Sequence, residues 1–250
     1  MAHYKIGILG AGFIGGTLAK HFSKAGHQVE VANSRGPHSL EDKAREWGAK
    51  AVTSEQAVHG KDVIVVTIPQ GKTADLRPLF KHVPADTIVI DTNNYYPQRD
   101  GKIEALEQGQ TESGWVAEQI GHPVVKVFNN IVFLSLIGNG RPHGDKQRIA
   151  LPVAGDNAEH KRRVFDLLDS IGFDGFDAGS LAESWRQQPG TPVYCTDYAL
   201  AAAQQALARA DRAARPQRRD AGVAHFVELL HSQAPLEEII TYMRQVNDPK

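Results

Sequence analysis

Cys195 is the only cysteine in this sequence of 250 residues, so no intramolecular disulfide can form, and a reducing compartment, the cytoplasm, is expected. An excess of charge is missing too. With 28 Lys and Arg against 29 Asp and Glu, the net charge of -1 offers no electrostatic footprint for nucleic acid or an anionic membrane. Long apolar runs are also missing. Residues 124–138, the most apolar later stretch, are interrupted by Lys126, Asn129 and Asn130 and are too short to cross a bilayer as a helix. The start, MAHYKIGILG, enters strand-like sequence at once, and no secretory signal is expected. Eleven histidines form neither H-E-x-x-H nor a Cys/His cluster, so no metal site is expected. Internal repeats and low-complexity linkers are absent. A hydrophobic fraction of 41% and a charged fraction of 23% fit a folded chain with one α/β domain and a smaller second one.

What is present begins at the head. Ile6, Ile8 and Leu9 form a short apolar run of strand type, and Gly10, Gly12 and Gly15 follow in the pattern G-x-G-x-x-G. Ile14, Leu18, Phe22 and Ala25 then recur at helical spacing, up to Gly26 as a helix stop. In this strand, turn and helix order the glycines have a mechanism. Gly10 permits the tight turn, Gly12 lets backbone approach a pyrophosphate, and Gly15 lets the helix lie close on the strand. Amides at the helix N-terminus then face the phosphates. A second strand over residues 28–33 ends where an adenosine ribose lies, and an NAD site usually places Asp or Glu there. Asn33, Ser34 and Arg35 stand there instead, a hydroxyl and a cation replacing the acid. That suits a 2′-phosphate and points to NADP(H) over NAD(H).

Residues 39–47 read as a short helix with Ser39 and Asp42 as its capping box, and 50–53 as a short strand. Residues 62–69, 87–94 and 124–130 are continuous apolar runs of the kind buried in a parallel sheet, separated by helices near 72–82 and 112–120. This alternation predicts an α/β protein with a Rossmann, doubly wound, mostly parallel sheet. A helical segment at 131–137, a strand at 149–155, a helix capped by Asp156 and Glu159 and ending at Ser170, and a last sheet strand at 173–178 follow. Residues 1–180 are thus read as the NADP-binding domain and 181–250 as a small helical C-terminal cap, with helices at 197–214, 222–231 and 235–246. A cap this short has little core of its own, so it should pack on the sheet domain or on a second subunit, and a homodimer is expected. Arg209, Arg212, Arg215, Arg218 and Arg219 form a basic run, read as a solvated helix face balanced by Asp211 and Asp220 in preference to an anion site.

In an open α/β sheet, ligands bind beyond the C-terminal strand ends, near the point where strand order reverses. The residues expected there are the glycine turn, Asn33 to Arg35, Thr67, Ile68 and Pro69, Thr92, Asn93 and Asn94, and Phe128, Asn129 and Asn130. Residues 183–195, rich in Gly, Pro and aromatics, return the chain over the nicotinamide side.

With these pieces together the sequence resembles the NADPH-dependent deazaflavin reductases, the coenzyme F420:NADP oxidoreductase family, and the related cytosolic domain of transmembrane ferric reductases. The stretches that carry the resemblance are GILGAGFIGGTLA, ANSRGP, DTNNYYP, VVKVFNN, PVAGD and IGFDGFDAGSL, within residues 4–195. It implies an NADP(H)-dependent oxidoreductase in which Ser34 and Arg35 hold the 2′-phosphate and Gly10, Gly12, Phe13 and Ile14 line the pyrophosphate. Ile68 and Pro69 would flank the middle of the cofactor, and Asn93 and Asn129 its nicotinamide end; Gly15, Asn33 and Thr67 complete the cofactor set. Asn130, Tyr95, Trp185 and Tyr194 are the candidate contacts to the electron acceptor, a small molecule such as coenzyme F420, a flavin or a similar planar ring.

Hydride transfer between a nicotinamide and such a ring needs stacking and exclusion of water, so no catalytic residue is assigned. Reduction of a carbonyl or imine would need a proton donor, for which Tyr95, Tyr194 and His143 are the candidates. The similar hydroxy-acid dehydrogenases use a lysine on the first long helix of a large C-terminal domain. Here no lysine occurs between Lys161 and Lys250, which disfavours that chemistry. A non-catalytic NADP(H) sensor whose helical tail binds a partner is the remaining alternative.

Overall fold

Six short parallel strands form the central sheet of the computed structural model, which describes residues 3–248. They are β1 (Lys5–Leu9), β2 (Gln28–Ala32), β3 (Lys50–Ala51), β4 (Val63–Val66), β5 (Ile88–Asp91) and β6 (Val125–Lys126), in the order β3-β2-β1-β4-β5-β6. The order reverses between β1 and β4, where Ile8 pairs with Val31 on one side and Val65 on the other. Crossing segments carry α1 (Phe13–Lys24), α2 (Glu41–Glu46), α3 (Ser54–Val58) and α4 (Arg77–Phe80), and between β5 and β6 lie α5 (Pro97–Asp100), α6 (Glu104–Glu107) and α7 (Glu112–Ile120).

The apolar runs explain the layers. Along β4, Val63 and Val65 enter one core with Ile6, Ile8, Leu18 and Phe22, while Ile64 and Val66 enter the other with Leu9, Val89 and Val116. Each such side chain, buried, contributes about 1.5–3 kcal/mol, so both faces of the sheet must be covered. Gly7 sets how close one cover lies: a Cβ there would stand 1.6 Å from Ala57 O, so α3 meets the backbone of β1 directly.

Several local expectations change. Ser39 is spent on the turn after β2, bonding Asn33 and the Gly36 carbonyl, and α2 starts later, at Glu41, without a side-chain cap. A capping box does form at α3, where Thr53 Oγ1 accepts from Gln56 N and Gln56 Oε1 from Thr53 N. Instead of one helix over 72–82, Gln70–Leu76 is 3-10 and α4 is a single turn, because Pro78 has no N–H to carry an α-helix through from Ala74. β6 is cut to two residues, since Phe128 takes φ 64° and turns the chain out of the sheet.

After β6 come α8 (Phe133–Gly138), β7 (Ala150–Val153), α9 (Ala158–Ser170) and β8 (Asp174–Asp177). β7 and β8 pair only with each other and form a second, two-stranded sheet, joined to the first by an antiparallel bridge between Lys126 and Ala154. The expected last strands therefore do not extend the main sheet. The cap of α9 is Asn157, whose Oδ1 accepts from His160 N; Asp156 instead accepts from Leu181 N.

The C-terminal region holds α10 (Leu200–Ala208), α11 (Arg215–His231) and α12 (Leu236–Asn247). α11 begins earlier than expected because Pro216 falls in its first turn, where a missing N–H breaks nothing. α11 and α12 share a core of Leu229, Ile239, Ile240 and Met243 with Val132, Tyr194 and Cys195. The arginine run is a solvated face only in part: Arg209 and Arg212 are exposed and Arg219 pairs with Asp220 as expected, but the rest of the run is used inside the fold. Arg215 and Arg219 are buried, Arg218 donates to Asn247 O, Arg212 to Gly109 O, and Arg209 pairs with Asp248, so these side chains tie the helices together and to the sheet layer. Among the described residues no helix is long and apolar enough to cross a membrane.

Gly7→Ala should cost at least about 3 kcal/mol, at the upper end of overpacking effects, because the obstacle is backbone that cannot rotate away. A thermal denaturation midpoint within a degree or two of the parent's would show that α3 is free to move off β1.

Candidate functional site

The turn after β1 is shaped by backbone contact. Gly10 has φ 113°, and a Cβ on it would lie 2.0 Å from Thr67 O, so the turn sits directly on the end of β4. A Cβ on Gly15 would lie 2.0 Å from Gly10 O, which fixes α1 against the same turn. Gly12 differs: a Cβ there would meet nothing within 4 Å, and no side chain caps α1. The first-turn amides of a helix have no intrahelical partner, so this open end is a cradle for an anion. Exposed Phe13 and half-buried Ile14 flank it. At the end of β2, Asn33 Oδ1 accepts from Arg35 N at 3.0 Å and shapes a turn that leaves the Ser34 and Arg35 side chains exposed. An exposed hydroxyl and cation beside an open cradle fit a dinucleotide with a 2′-phosphate.

From that cradle a cleft of about 580 Å³ runs across the switch point. Thr67, Ile68 and Pro69 line it from β4, Asn93, Asn94 and Tyr96 from β5, and Phe128 and Asn129 from β6. Its far wall is Tyr194 with Val223, Phe226, Val227 and Leu230 of α11, and Phe133 stacks on Phe13 at its edge, 4.4 Å between ring centres.

The amides along the floor are largely occupied by protein. Asn93 Oδ1 accepts from Ile68 N at 3.1 Å. Asn129 Nδ2 donates to Asn94 Oδ1 and to Gln187 O, and its Oδ1 accepts from Gln187 Nε2. Asn94 returns a bond to Asn129 O at 2.8 Å. Asn129 therefore braces two strand ends, and its partners are Asn94, expected at a strand end but not in this role, and Gln187, which the sequence reading did not single out. The doubled Asn pairs at 93–94 and 129–130 were the available signal for Asn94. Gln187 had none.

The four acceptor candidates separate. Tyr194 lines the cleft, with its hydroxyl 2.7 Å from that of Tyr96, which was not among the acceptor candidates. Tyr95 is turned away and buried, its hydroxyl donating to Glu107 Oε1 and accepting from Ile103 N, with the Arg219 guanidinium over its ring. Trp185 is buried beneath Arg186 and Arg212. Asn130 is buried with its Nδ2 toward Val193 O. None of these three reaches the cleft. His143 is exposed beside Asp169 and Arg148, also away from it.

Beneath the floor lies a closed group of charges. Lys126 Nζ, fully buried, donates to Asn93 O at 2.8 Å and stands 3.4 Å from Asp91 Oδ2 and 3.9 Å from Glu112 Oε2. Arg215 of α11 reaches Glu112 Oε1 at 3.4 Å, and Ser113 donates to Asp91 Oδ2 at 2.6 Å. Two cations face two carboxylates. Burial raises the Glu112 pKa, against the pull of Lys126 and Arg215.

Comparison with known proteins agrees with this geometry. A family model described as NADP oxidoreductase, coenzyme F420-dependent, matches residues 5–95. Protein YjhV of Escherichia coli (strain K12) is 38% identical over 112 residues, 44% of this chain and 80% of that protein. Metalloreductase STEAP3 of Rattus norvegicus is 29% identical over 181 residues, 72% of this chain but only 35% of that longer protein. Among solved structures, hypothetical protein SMa0349 from Sinorhizobium meliloti is 32% identical with a TM-score of 0.66, covering 80% of this chain and 95% of that one.

Lys126→Met removes one cation from a buried group of four and should cost about 3–5 kcal/mol at neutral pH. The lost cation raises the Glu112 pKa further, and a carboxyl whose folded pKa is raised stabilises below its unfolded pKa and loses that contribution as pH rises through the folded one. The cost, measured by denaturant titration, should therefore shrink from pH 7 to pH 5.5. Equal costs at both would separate Lys126 from the carboxylates.

Proposed function

The chain belongs to the coenzyme F420-dependent NADP oxidoreductase family, and we propose that it passes hydride between NADP(H) and a deazaflavin, flavin or similar planar acceptor held in the cleft. The observation that carries this is the open, uncapped cradle at Gly12, continuous with a cleft that crosses the switch point and ends on an apolar wall. Gly10, Gly12, Phe13, Ile14 and Gly15 would hold the pyrophosphate, and Ser34 and Arg35 the 2′-phosphate. Thr67, Ile68 and Pro69 would flank the middle of the cofactor. Asn93 and Asn129 act through the strand ends they brace, placing the floor on which the nicotinamide rests. The bound cofactor supplies hydride chemistry, and the protein supplies position and dryness.

Val223, Phe226, Val227 and Leu230 of α11 make the acceptor end apolar, so a flat ring would exclude water there on binding. Reduction of a carbonyl or imine is a second reading, favoured by the two phenols on the wall. A reducing compartment, the cytoplasm, is proposed on the single free and buried Cys195.

The test is NADPH oxidation by the purified protein, followed at the nicotinamide absorbance, with coenzyme F420, FMN, FAD and ferric chelates offered in turn. Turnover with a ring acceptor, and much less with NADH, is expected. Arg35→Glu should weaken NADPH at least tenfold, about 1.4 kcal/mol, and leave NADH nearly unchanged. Equal weakening of both would remove the 2′-phosphate assignment, and tight NADPH binding without turnover on any acceptor would favour a sensor.

A further inference from the structure

Two phenol hydroxyls from distant segments meet on the cleft wall, with Tyr96 Oη 2.7 Å from Tyr194 Oη. Packing alone does not ask for them. A phenylalanine pair would fill the same space without two hydroxyls to satisfy away from water. In such a pair one proton lies between the oxygens, and the other has only the weak acceptor Cys195 Sγ beside it and can pass to a stronger one.

Most of the neighbouring polar side chains at this end are bonded within the protein. Asn94 and Asn129 bond each other, Thr92 Oγ1 donates to Val66 O, and Arg99 is held by Asp100 and the Asn94 carbonyl. Arg99 is half-exposed but already paired with Asp100, and the wall opposite is apolar, which favours a neutral ring over an anionic one.

We propose that the Tyr96–Tyr194 pair donates the proton that completes hydride transfer, and that the acceptor's reacting part is a neutral conjugated carbonyl or imine. This rests on the reading of the cleft as the NADP(H) site. In the step, the C4–H bond of the nicotinamide breaks with its electron pair and a new bond to hydrogen forms on the conjugated system. The π electrons move to its terminal oxygen or nitrogen, which takes the phenol proton. The phenolate regains a proton from solvent through its partner hydroxyl. The sum is NADPH plus acceptor plus one proton giving NADP+ and the acceptor reduced by two electrons and two hydrogens. A quinone, an enal or a flavin ring belongs to this class.

Burial holds both phenols well above their ordinary pKa, so both remain acids across neutral pH. The groups that face them are Cys195 beside Tyr194, Arg99 over the Tyr96 ring, Glu112 from α7, and Arg218 and Arg219 from α11. The cysteine is itself pushed up by burial and stays a thiol.

The experiment compares the full-length protein with Tyr96→Phe, Tyr194→Phe and the double variant. NADPH affinity is read by nicotinamide fluorescence, and turnover from pH 6 to 9 with 2-methyl-1,4-naphthoquinone, trans-cinnamaldehyde and lumiflavin as probes. Each single variant should lose tenfold or more in kcat while its NADPH Kd stays within twofold. In the double variant kcat should fall as pH rises, because solvent becomes the proton source, whereas the parent stays flat. Should the double variant not fold, the single ones decide, since each keeps its ring. Unchanged kcat in the variants overturns the proton-donor role. A parent that binds NADPH and reduces none of the three probes overturns the acceptor class. Absence of NADPH binding by the parent overturns the underlying reading of the cleft instead.

Discussion

Four buried charges hold the two halves of this site in register. Lys126 at the end of β6 faces Asp91 at the end of β5 and Glu112 at the start of α7, and Arg215 brings α11 to the same carboxylate. Burial of a single one of these ions would cost several kcal/mol, so the fold is confined to arrangements in which all four meet. The arrangement that satisfies them also sets α11 across the mouth of the strands, where it becomes the far wall of the cleft. An electrostatic constraint beneath the floor thereby defines the shape above it.

The same floor is stiffened by amides. Asn93 takes the Ile68 amide, and Asn94, Asn129 and Gln187 close a reciprocal set of bonds across β5, β6 and the segment that returns from the second sheet. Low-polarity surroundings strengthen such bonds and penalise any left open, so the strand ends keep one geometry. A rigid floor between an open phosphate cradle and an apolar wall is what hydride transfer requires of a protein: two rings brought close, with little reorganisation at the moment of reaction.

How far the sequence spoke depended on distance along the chain. The head was legible because strand, glycine turn and helix are contiguous, and the backbone contacts of Gly10 and Gly15 fall within a few residues of one another or at the next strand end. The apolar runs of β4 and β5 were legible because burial on both faces leaves no alternation to misread. The end of β6 was not, since Phe128 takes a positive φ with no glycine to announce it. Nor were Arg212, Arg215 and Arg218, whose partners lie in separate parts of the chain. Tyr95 and Tyr96 are adjacent, yet one faces Glu107 and the other the cleft, a distinction made by the turn before α5 and invisible in composition.

This division has a physical reason that bears on function. The proposed phosphate cradle is built mainly of backbone, and backbone geometry is written locally, in glycines and strand ends. In the proposed reading the acceptor would meet side chains that follow β5, Tyr194 and Cys195, and side chains of α11, which come together only when the sheet and the cap have docked. The docking is secured underneath, by Glu112 and Arg215, on residues that do not line the cleft. Side chains on the wall can thus differ in size and polarity without disturbing either the charges that hold α11 or the cradle that faces the phosphates, so one cofactor architecture can serve acceptors of different shape.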